Sequence, residues 1–211
     1  LTYAMSVNVA FVLGALFALE TPAWQAPDEP AHYNYVRYLA ENGAFPVLHM
    51  GDYPHAYLEQ IKAAGFPPDM PITPIRYESH QPPLYYALAA PVYALTGGSL
   101  VALRLFSVLL GAGIVVLAFG VARRALPGRP AAALGAAAIV AFLPQHLGTV
   151  SQVGNDVLAE LLVAAVLYQL ARIVTAPEQP GQTMPGPSAA EVEAHDSAVA
   201  PRRALRLSPA G

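Results

Sequence analysis

The chain has 211 residues, of which 55% are hydrophobic and only 12% charged, with no cysteine and a formal net charge of −3. Soluble domains carry about twice that share of charge, roughly 25%, and the mean hydropathy here is +0.41. Disulfides, thiolate catalysis and cysteine metal sites are therefore excluded, and the charge balance offers nucleic acid no footing.

The apolar residues pool into long runs and the polar residues into one loop and one tail, the pattern of membrane spans rather than of a soluble core. The first run covers about residues 3–20, with Asn8 as its strongly polar interior residue. The chain opens inside this run with no basic region ahead of it, so no signal peptide is read and the true start is expected to lie upstream. Thr21, Pro22 and Trp24 close the run, and Trp24 suits a membrane interface. A long polar loop follows at 21–83. Within it, Pro27-Asp28-Glu29-Pro30 reads as a helix start, with proline tolerated in the first turn. That helix runs to Asn42, with Gly43 as its stop. Tyr35, Val36, Tyr38 and Leu39 recur on it at helical spacing, which places the helix along the bilayer surface. A second short helix is expected at about 57–64. Pro67, Pro68, Pro71 and Pro74 then force an extended path.

A short apolar stretch at 84–96, ended by Gly97-Gly98, precedes a strong run at 100–122 that closes on Arg123-Arg124, with Arg129 just beyond. An alanine-rich run at 131–148 is interrupted by Pro144, and a polar hinge, Ser151 to Asp156, leads into a last run at 157–174. Gly111, Gly113, Gly120 and the alanines of 131–138 read as helix-packing surfaces. Residues 176–211 are rich in Pro, Gly and Ala without periodicity and read as a disordered tail.

Topology turns on the stretch 84–96. If it lies at the surface, the three arginines fall on the side opposite the long loop, as the positive-inside rule favours. This gives four spans and a juxtamembrane helix, with the loop 21–83 and the hinge both outside. A short tilted span at 84–96 is the alternative.

Asp28-Glu29 and Asp156 then face one compartment at membrane edges, where a carboxylate is costly unless solvated or paired. Such a carboxylate can act as general base toward an acceptor hydroxyl or amine. The plainer reading is that Asp28 and Asp156 cap the helices that follow them. Asp28 and His32 are four residues apart, a spacing that can share a helix face, where the carboxylate orients the imidazole or shares a metal with it; the plainer reading is an interfacial histidine. The two prolines behind His80 either present it to a site or merely start the juxtamembrane helix, and His146, near the outer end of a span, lines a cavity or, more simply, is a solvated end residue. Arg37, Arg76 and Arg104 are the cations near the outer interface, fit for a phosphate or for ordinary headgroups. Tyr33, Tyr35, Tyr38, Tyr77, Tyr85 and Tyr86 suit sugar stacking or, more simply, an aromatic belt.

Several segments occur in a telling order: Trp24-Gln25-Ala26-Pro27-Asp28-Glu29-Pro30, Gly43-Ala44-Phe45-Pro46-Val47, Tyr77 to Tyr86 with His80-Gln81-Pro82-Pro83 inside it, Arg104-Leu105 and Arg123-Arg124. Together they resemble the GT-C glycosyltransferases, the branch holding bacterial aminoarabinose transferases and protein O-mannosyltransferases. The likeness is greatest to the bacterial phospholipid-carrier-dependent, family 39 members, and it covers about residues 1–175. It implies an all-α integral membrane protein, a GT-C-type helical bundle with a long first extracytoplasmic loop carrying juxtamembrane helices. It also implies transfer of a sugar from a polyprenyl-phosphate donor to an extracytoplasmic lipid, glycan or protein acceptor, with inversion. The resemblance makes Asp28 the catalytic base, with Glu29 beside it and Asp156 as the second acidic residue; His32, Arg37, Glu78, His80 and Gln81 are the expected substrate contacts. Metal dependence varies across that superfamily, so a divalent metal stays open and none is assigned. The aminoarabinose branch has an arginine three residues after its aspartate, where this chain has Ala31 followed by His32. That branch has Glu-Lys where this chain has His80-Gln81, so a different sugar is expected. Family members usually have many more spans, so the sequence reads as the N-terminal portion of such an enzyme. A non-catalytic scaffold or truncated pseudoenzyme, and a transporter subunit with Asn8, Gln145 and Asp156 along its path, are the competing readings.

Overall fold

The computed structural model describes residues 2–176, with side chains from residue 7 onward. The tail expected at 176–211 lies, but for its first residue, outside them. Leu1–Thr175 make one compact unit. Among the described residues every regular element is helical: α1 Thr2–Glu20, α2 Glu29–Asn42, α3 His55–Ala63, a 3-10 turn Tyr77–His80, α4 Leu84–Thr96, α5 Leu100–Ala125, α6 Pro130–Phe142, α7 Pro144–Val150 and α8 Asp156–Val174. The all-α expectation for a membrane protein holds.

α5 is the central rod. It is apolar along most of its length, with Arg104 near its start and Arg123-Arg124 at its end, and is capped by Ser99, whose side chain accepts from the Ala102 amide. α1, α6 and α8 pack around it, and glycines set the closeness of these contacts. A Cβ on Gly111 would fall 2.6 Å from Val150, one on Gly113 3.0 Å from Leu161, and one on Gly120 2.8 Å from Tyr168. The first of these positions seats α7 and the other two seat α8. Ala133, Ala137 and Ala141 form a fully buried stripe on α6 at four-residue spacing, and Ala137 and Ala141 join Ala10 of α1 and Val115 of α5. The expected packing surfaces are thus in use.

α5 and α8 are long and apolar enough to cross a membrane, and the bent pair α6–α7 makes a third candidate. The bend is 60°, and its cause is local. Pro144 has no amide to give the preceding turn, so Leu143 turns extended and a new helix begins. α1 is apolar over Val7–Glu20, and α4 has 13 residues. At about 1.5 Å per residue α4 reaches roughly 20 Å, short of a hydrocarbon core of about 30 Å.

Chain direction follows from the contacts. Gly113 meets Leu161 and Gly120 meets Tyr168, so α5 and α8 run parallel. Gly14 meets Val108 and Ala10 meets Val115, so α1 runs antiparallel to α5. The end of α1 and the starts of α2, α5 and α8 therefore share one end of the bundle. Arg124 stacks over Tyr168 at 5.3 Å and reaches Thr175 at the other end.

The loop between α1 and α4 packs on that first end. α2 stops at Gly43, which adopts φ 62° and donates its amide to Leu39. α3 starts two residues earlier than expected and buries Leu58 and Ile61 against Ala31 and Ile75. The Asn34 amide nitrogen donates to the carbonyls of Ile72 and Ile75, which staples the proline-rich segment to α2. Tyr35 of α2 stacks on Tyr86 of α4 with centroids 3.6 Å apart.

Candidate functional site

Glu29 is the most enclosed acid at this end, with 0% exposure, and Arg104 faces it at 2%. The guanidinium binds it through two nitrogens, Nε to Oε1 at 2.7 Å and Nη2 to Oε2 at 2.6 Å. The backbone amides of Trp24 and Val153 also donate to the carboxylate, at 3.3 and 3.2 Å. The remaining Arg104 donors close the end of α1, reaching the carbonyls of Ala18, Thr21 and Pro22 at 2.9, 2.6 and 3.1 Å. One ion pair thus ties together α1, α2, α5 and the hinge before α8. Burying two charges is affordable only with partners as complete as these. Arg104, a sequence candidate for a phosphate, has its donors committed inside the protein.

Asp28 precedes Glu29 and faces outward. It adopts φ 56° and ψ 0°. Its side chain makes no cap bond to α2. Instead Tyr77 donates its hydroxyl to Asp28 Oδ1 at 2.7 Å. Burial, and then that bond to Asp28, push the Tyr77 hydroxyl well above the ordinary tyrosine range, so it stays a donor. Asp28 and Tyr77 line a cavity of about 350 Å³ together with Trp24, Leu58, Lys62 and Phe66. Trp24 (φ 67°), Asp28 (φ 56°) and Phe66 (φ 56°) are the positive-φ residues other than glycine among the described residues, and all three line this cavity. A left-handed conformation costs a residue with a side chain about 1–2 kcal/mol, less for aspartate. Strain gathered at one cavity marks it as a place the fold holds open against local preference.

His32 sits one turn into α2, nearly buried, and its Nδ1 lies 2.7 Å from the Tyr86 hydroxyl. Burial pushes its pKa below the ordinary value of 6.5 despite the opposing charges of Glu78, Asp28, Asp156 and Glu29. The imidazole is accordingly neutral at pH 7, hydrogen-bonded and fixed in orientation. A Cβ on Gly154 would lie 3.7 Å from this ring, so the hinge before α8 packs directly on it.

Glu78, Gln81 and Asn155 form a short chain. The Gln81 amide donates to Glu78 at 2.6 Å, and the Asn155 amide donates to Gln81 Oε1 at 3.2 Å. This chain fastens the 3-10 turn to the start of α8 and fixes the position of Asp156. Asn155 occupies the cap position of α8 without a side-chain bond, and Asp156 is exposed in the first helical turn, where the helix dipole favours a carboxylate. Neither Asp28 nor Asp156 therefore serves as the side-chain cap that the plainer reading expected.

The structure thus brings Asp28, Glu29, His32, Glu78, Gln81 and Asp156 to one end of the bundle. His80 is exposed beside them, its Nδ1 donating to the Tyr77 carbonyl at 2.9 Å. Arg37 lies nine residues along α2 from Asp28, about 13 Å by helical rise, with its charge beside Tyr33. Arg76 spans Asp52, at 4.0 Å, and the Tyr38 ring. Among the described residues no group of three or more His, Asp or Glu side chains is placed to hold a metal ion. Lys62 and Asn155 went unnoticed in the sequence. Lys62 sits in an unremarkable helix, and its approach to Asp28 depends on how α3 folds back.

Residues 80–182 match a family model described as dolichyl-phosphate-mannose-protein mannosyltransferase, which supports the resemblance to GT-C-type glycosyltransferases. The matched stretch holds Gln81, Arg104, Asn155 and Asp156. Asp28, Glu29 and His32 lie upstream of it and join it through Arg104, Tyr86 and Val153. No curated protein and no solved structure matches the chain.

Proposed function

We propose that this GT-C-type chain supplies the membrane-embedded catalytic end of an enzyme that moves a sugar from a polyprenyl-phosphate donor to an extracytoplasmic lipid, glycan or protein acceptor. The observation that carries the reading is Asp28. It is an exposed carboxylate in a left-handed conformation, uncommitted to helix capping and held by Tyr77 on the wall of a cavity. A cavity of about 350 Å³ is in the range that holds a small ligand.

The chemistry follows from the geometry. Tyr77 occupies Asp28 Oδ1, which leaves Oδ2 to accept the proton of an acceptor hydroxyl or amine. The acceptor atom then bonds to the anomeric carbon as the bond from that carbon to the phosphate oxygen breaks. Polyprenyl phosphate departs with the electron pair, and the anomeric centre inverts. Glu29 positions rather than reacts, because Arg104 and two amides occupy its carboxylate. His32, neutral and held by Tyr86, supports the wall next to Gly154. Asp156 adds negative potential at the same end. The transporter reading fares less well, since Asn8 is exposed on α1 rather than turned inward and Asp156 lies at the bundle's end.

A transfer assay with polyprenyl-phosphate-linked sugar tests the assignment. Asp28→Asn should lower transfer by about 10²–10⁴-fold while the protein stays folded, and an unchanged rate would show that another group is the base. Sidedness is tested by single cysteines at the exposed Ala64 and Ala125 and the half-buried Gln152, against the cysteine-free background. With an impermeant maleimide on intact cells, positions 64 and 152 should label and position 125 should not.

A further inference from the structure

The cavity walled by Asp28 also contains a cation. Lys62 is the single lysine of the chain and the one cationic side chain among the residues lining the cavity. It stands in the last turn of α3, a helix held firmly in place. Leu58 and Ile61 are buried against Ala31 and Ile75, and Tyr57 donates to the Pro71 carbonyl at 2.7 Å. Beyond Lys62, Gly65 and Phe66 both turn left-handed, and their amides return to Lys62 and Ile61 at 3.0 and 2.9 Å. The strained Phe66 thereby forms cavity wall beside the lysine instead of continuing the helix.

The Lys62 ammonium is weakly committed. Its partner Glu59 lies 3.8 Å away on the same helix, and both side chains are more than half exposed, the setting in which an ion pair contributes little. The neighbouring arginines are not available in the same way. Arg104 is enclosed by Glu29 and three carbonyls, and Arg76 spans Asp52 and Tyr38. The cavity thus pairs one weakly paired ammonium with one hydroxyl-accepting carboxylate, and Trp24 and Phe66 add apolar wall.

We infer that Lys62 is a positioning residue that seats the phosphate of the donor lipid in the cavity walled by Asp28. This rests on the transfer reaction proposed above and names the group that holds its leaving phosphate. The ammonium binds the phosphate oxygens as a point charge, neutralises charge as the sugar–phosphate bond breaks, and keeps the anomeric carbon within reach of an acceptor bound at Asp28.

Lys62 can be read directly, because an amine-acylating reagent meets no other lysine in the chain. The full chain in nanodiscs would be acylated, and the rate at Lys62 followed by mass spectrometry. The additions are polyprenyl phosphate, polyprenol of equal length, or phosphatidylglycerol. Polyprenyl phosphate alone should slow acylation by about tenfold, the loss expected when a charge-assisted hydrogen bond ties up the amine. No slowing, or equal slowing by polyprenol, would overturn the inference. Equal slowing by phosphatidylglycerol would make Lys62 an ordinary headgroup contact and overturn it as well. In the transfer assay Lys62→Gln should raise the donor KM about tenfold, and Lys62→Arg should restore most of it. A Lys62→Gln enzyme with an unchanged donor KM counts against the proposal. Protection of Lys62 beside an Asp28→Asn enzyme that transfers at the parent rate would sink the Asp28 assignment and keep the phosphate site. Loss of transfer in Asp28→Asn without protection of Lys62 would do the reverse.

Discussion

Asp28 and Glu29 are one peptide bond apart and carry the same functional group, yet their surroundings differ in every respect that decides a role. Glu29 has no solvent contact and is bound by a guanidinium and two amides, so its orientation is fixed by the fold. Asp28 is exposed, left-handed and bound by a single hydroxyl on a cavity wall. A residue that must exchange protons with a substrate needs the second environment. A residue that must hold four segments together needs the first. The comparison teaches that an acidic pair in a sequence is not a pair of catalysts. The buried member joins four segments of the fold, and the exposed member is the one left free to meet a ligand.

The largest effect expected from breaking this division lies on the buried side. Glu29→Ala or Arg104→Ala alone leaves an uncompensated charge among the ends of α1, α2 and α5, at a cost of about 3–5 kcal/mol. Thermal unfolding in detergent should show a steep fall in Tm for either single variant. The paired replacement Glu29→Leu with Arg104→Met should recover much of it. If both singles unfold like the parent, the knot is not what joins these helices.

On the exposed side the expected pattern is inverted. Asp28→Asn should lower kcat by about 10²–10⁴-fold, the range for loss of a general base, with Tm unchanged. Asp28→Gly should lose the same activity yet raise Tm slightly, since glycine adopts φ 56° without the clash that a Cβ incurs. A variant that is more stable and inactive would show that the strain is kept for function. A drop in Tm would show instead that the Asp28 side chain supports the fold.

Tyr77 gives a smaller, sharper test. Tyr77→Phe removes one hydrogen bond, worth about 1–1.5 kcal/mol, and should lower kcat about tenfold with the donor KM nearly constant. A change confined to KM would mean that Tyr77 touches substrate rather than orienting Asp28.

The smallest effect concerns His32. Its folded pKa is lowered by burial, so the unfolded chain takes up a proton at a higher pH than the folded one. Stability therefore falls as pH drops through the ordinary histidine range toward the lowered folded value. Tm recorded from pH 7.5 to 5 should decline more for the parent than for His32→Gln. Parallel curves would place the imidazole in water.

Local structure was legible because it depends on neighbours along the chain. Gly43 ends α2 as its position suggested, Pro144 breaks the alanine-rich run, and Gly111, Gly113 and Gly120 face the helices they were expected to seat. Where the reading relied on capping it went astray. Asp28 has the right residue type for an N-cap, but a left-handed backbone turns its carboxylate away from the α2 amides and toward Tyr77, 49 residues on.

The sequence by itself determined the helices, their apolar faces and the gathering of acidic residues at segment ends, since side-chain periodicity and turn chemistry act over a few residues. It determined the likeness to GT-C glycosyltransferases through the order of short motifs. Only the tertiary structure decided which carboxylate is buried and which is free, because Arg104, 75 residues from Glu29, reaches that one and not its neighbour. The same holds for Lys62 and Asp28, 34 residues apart, which share a cavity only because α3 folds back on α2 through Leu58 and Ile61. Charge placement across such distances depends on packing and desolvation, which no local pattern encodes.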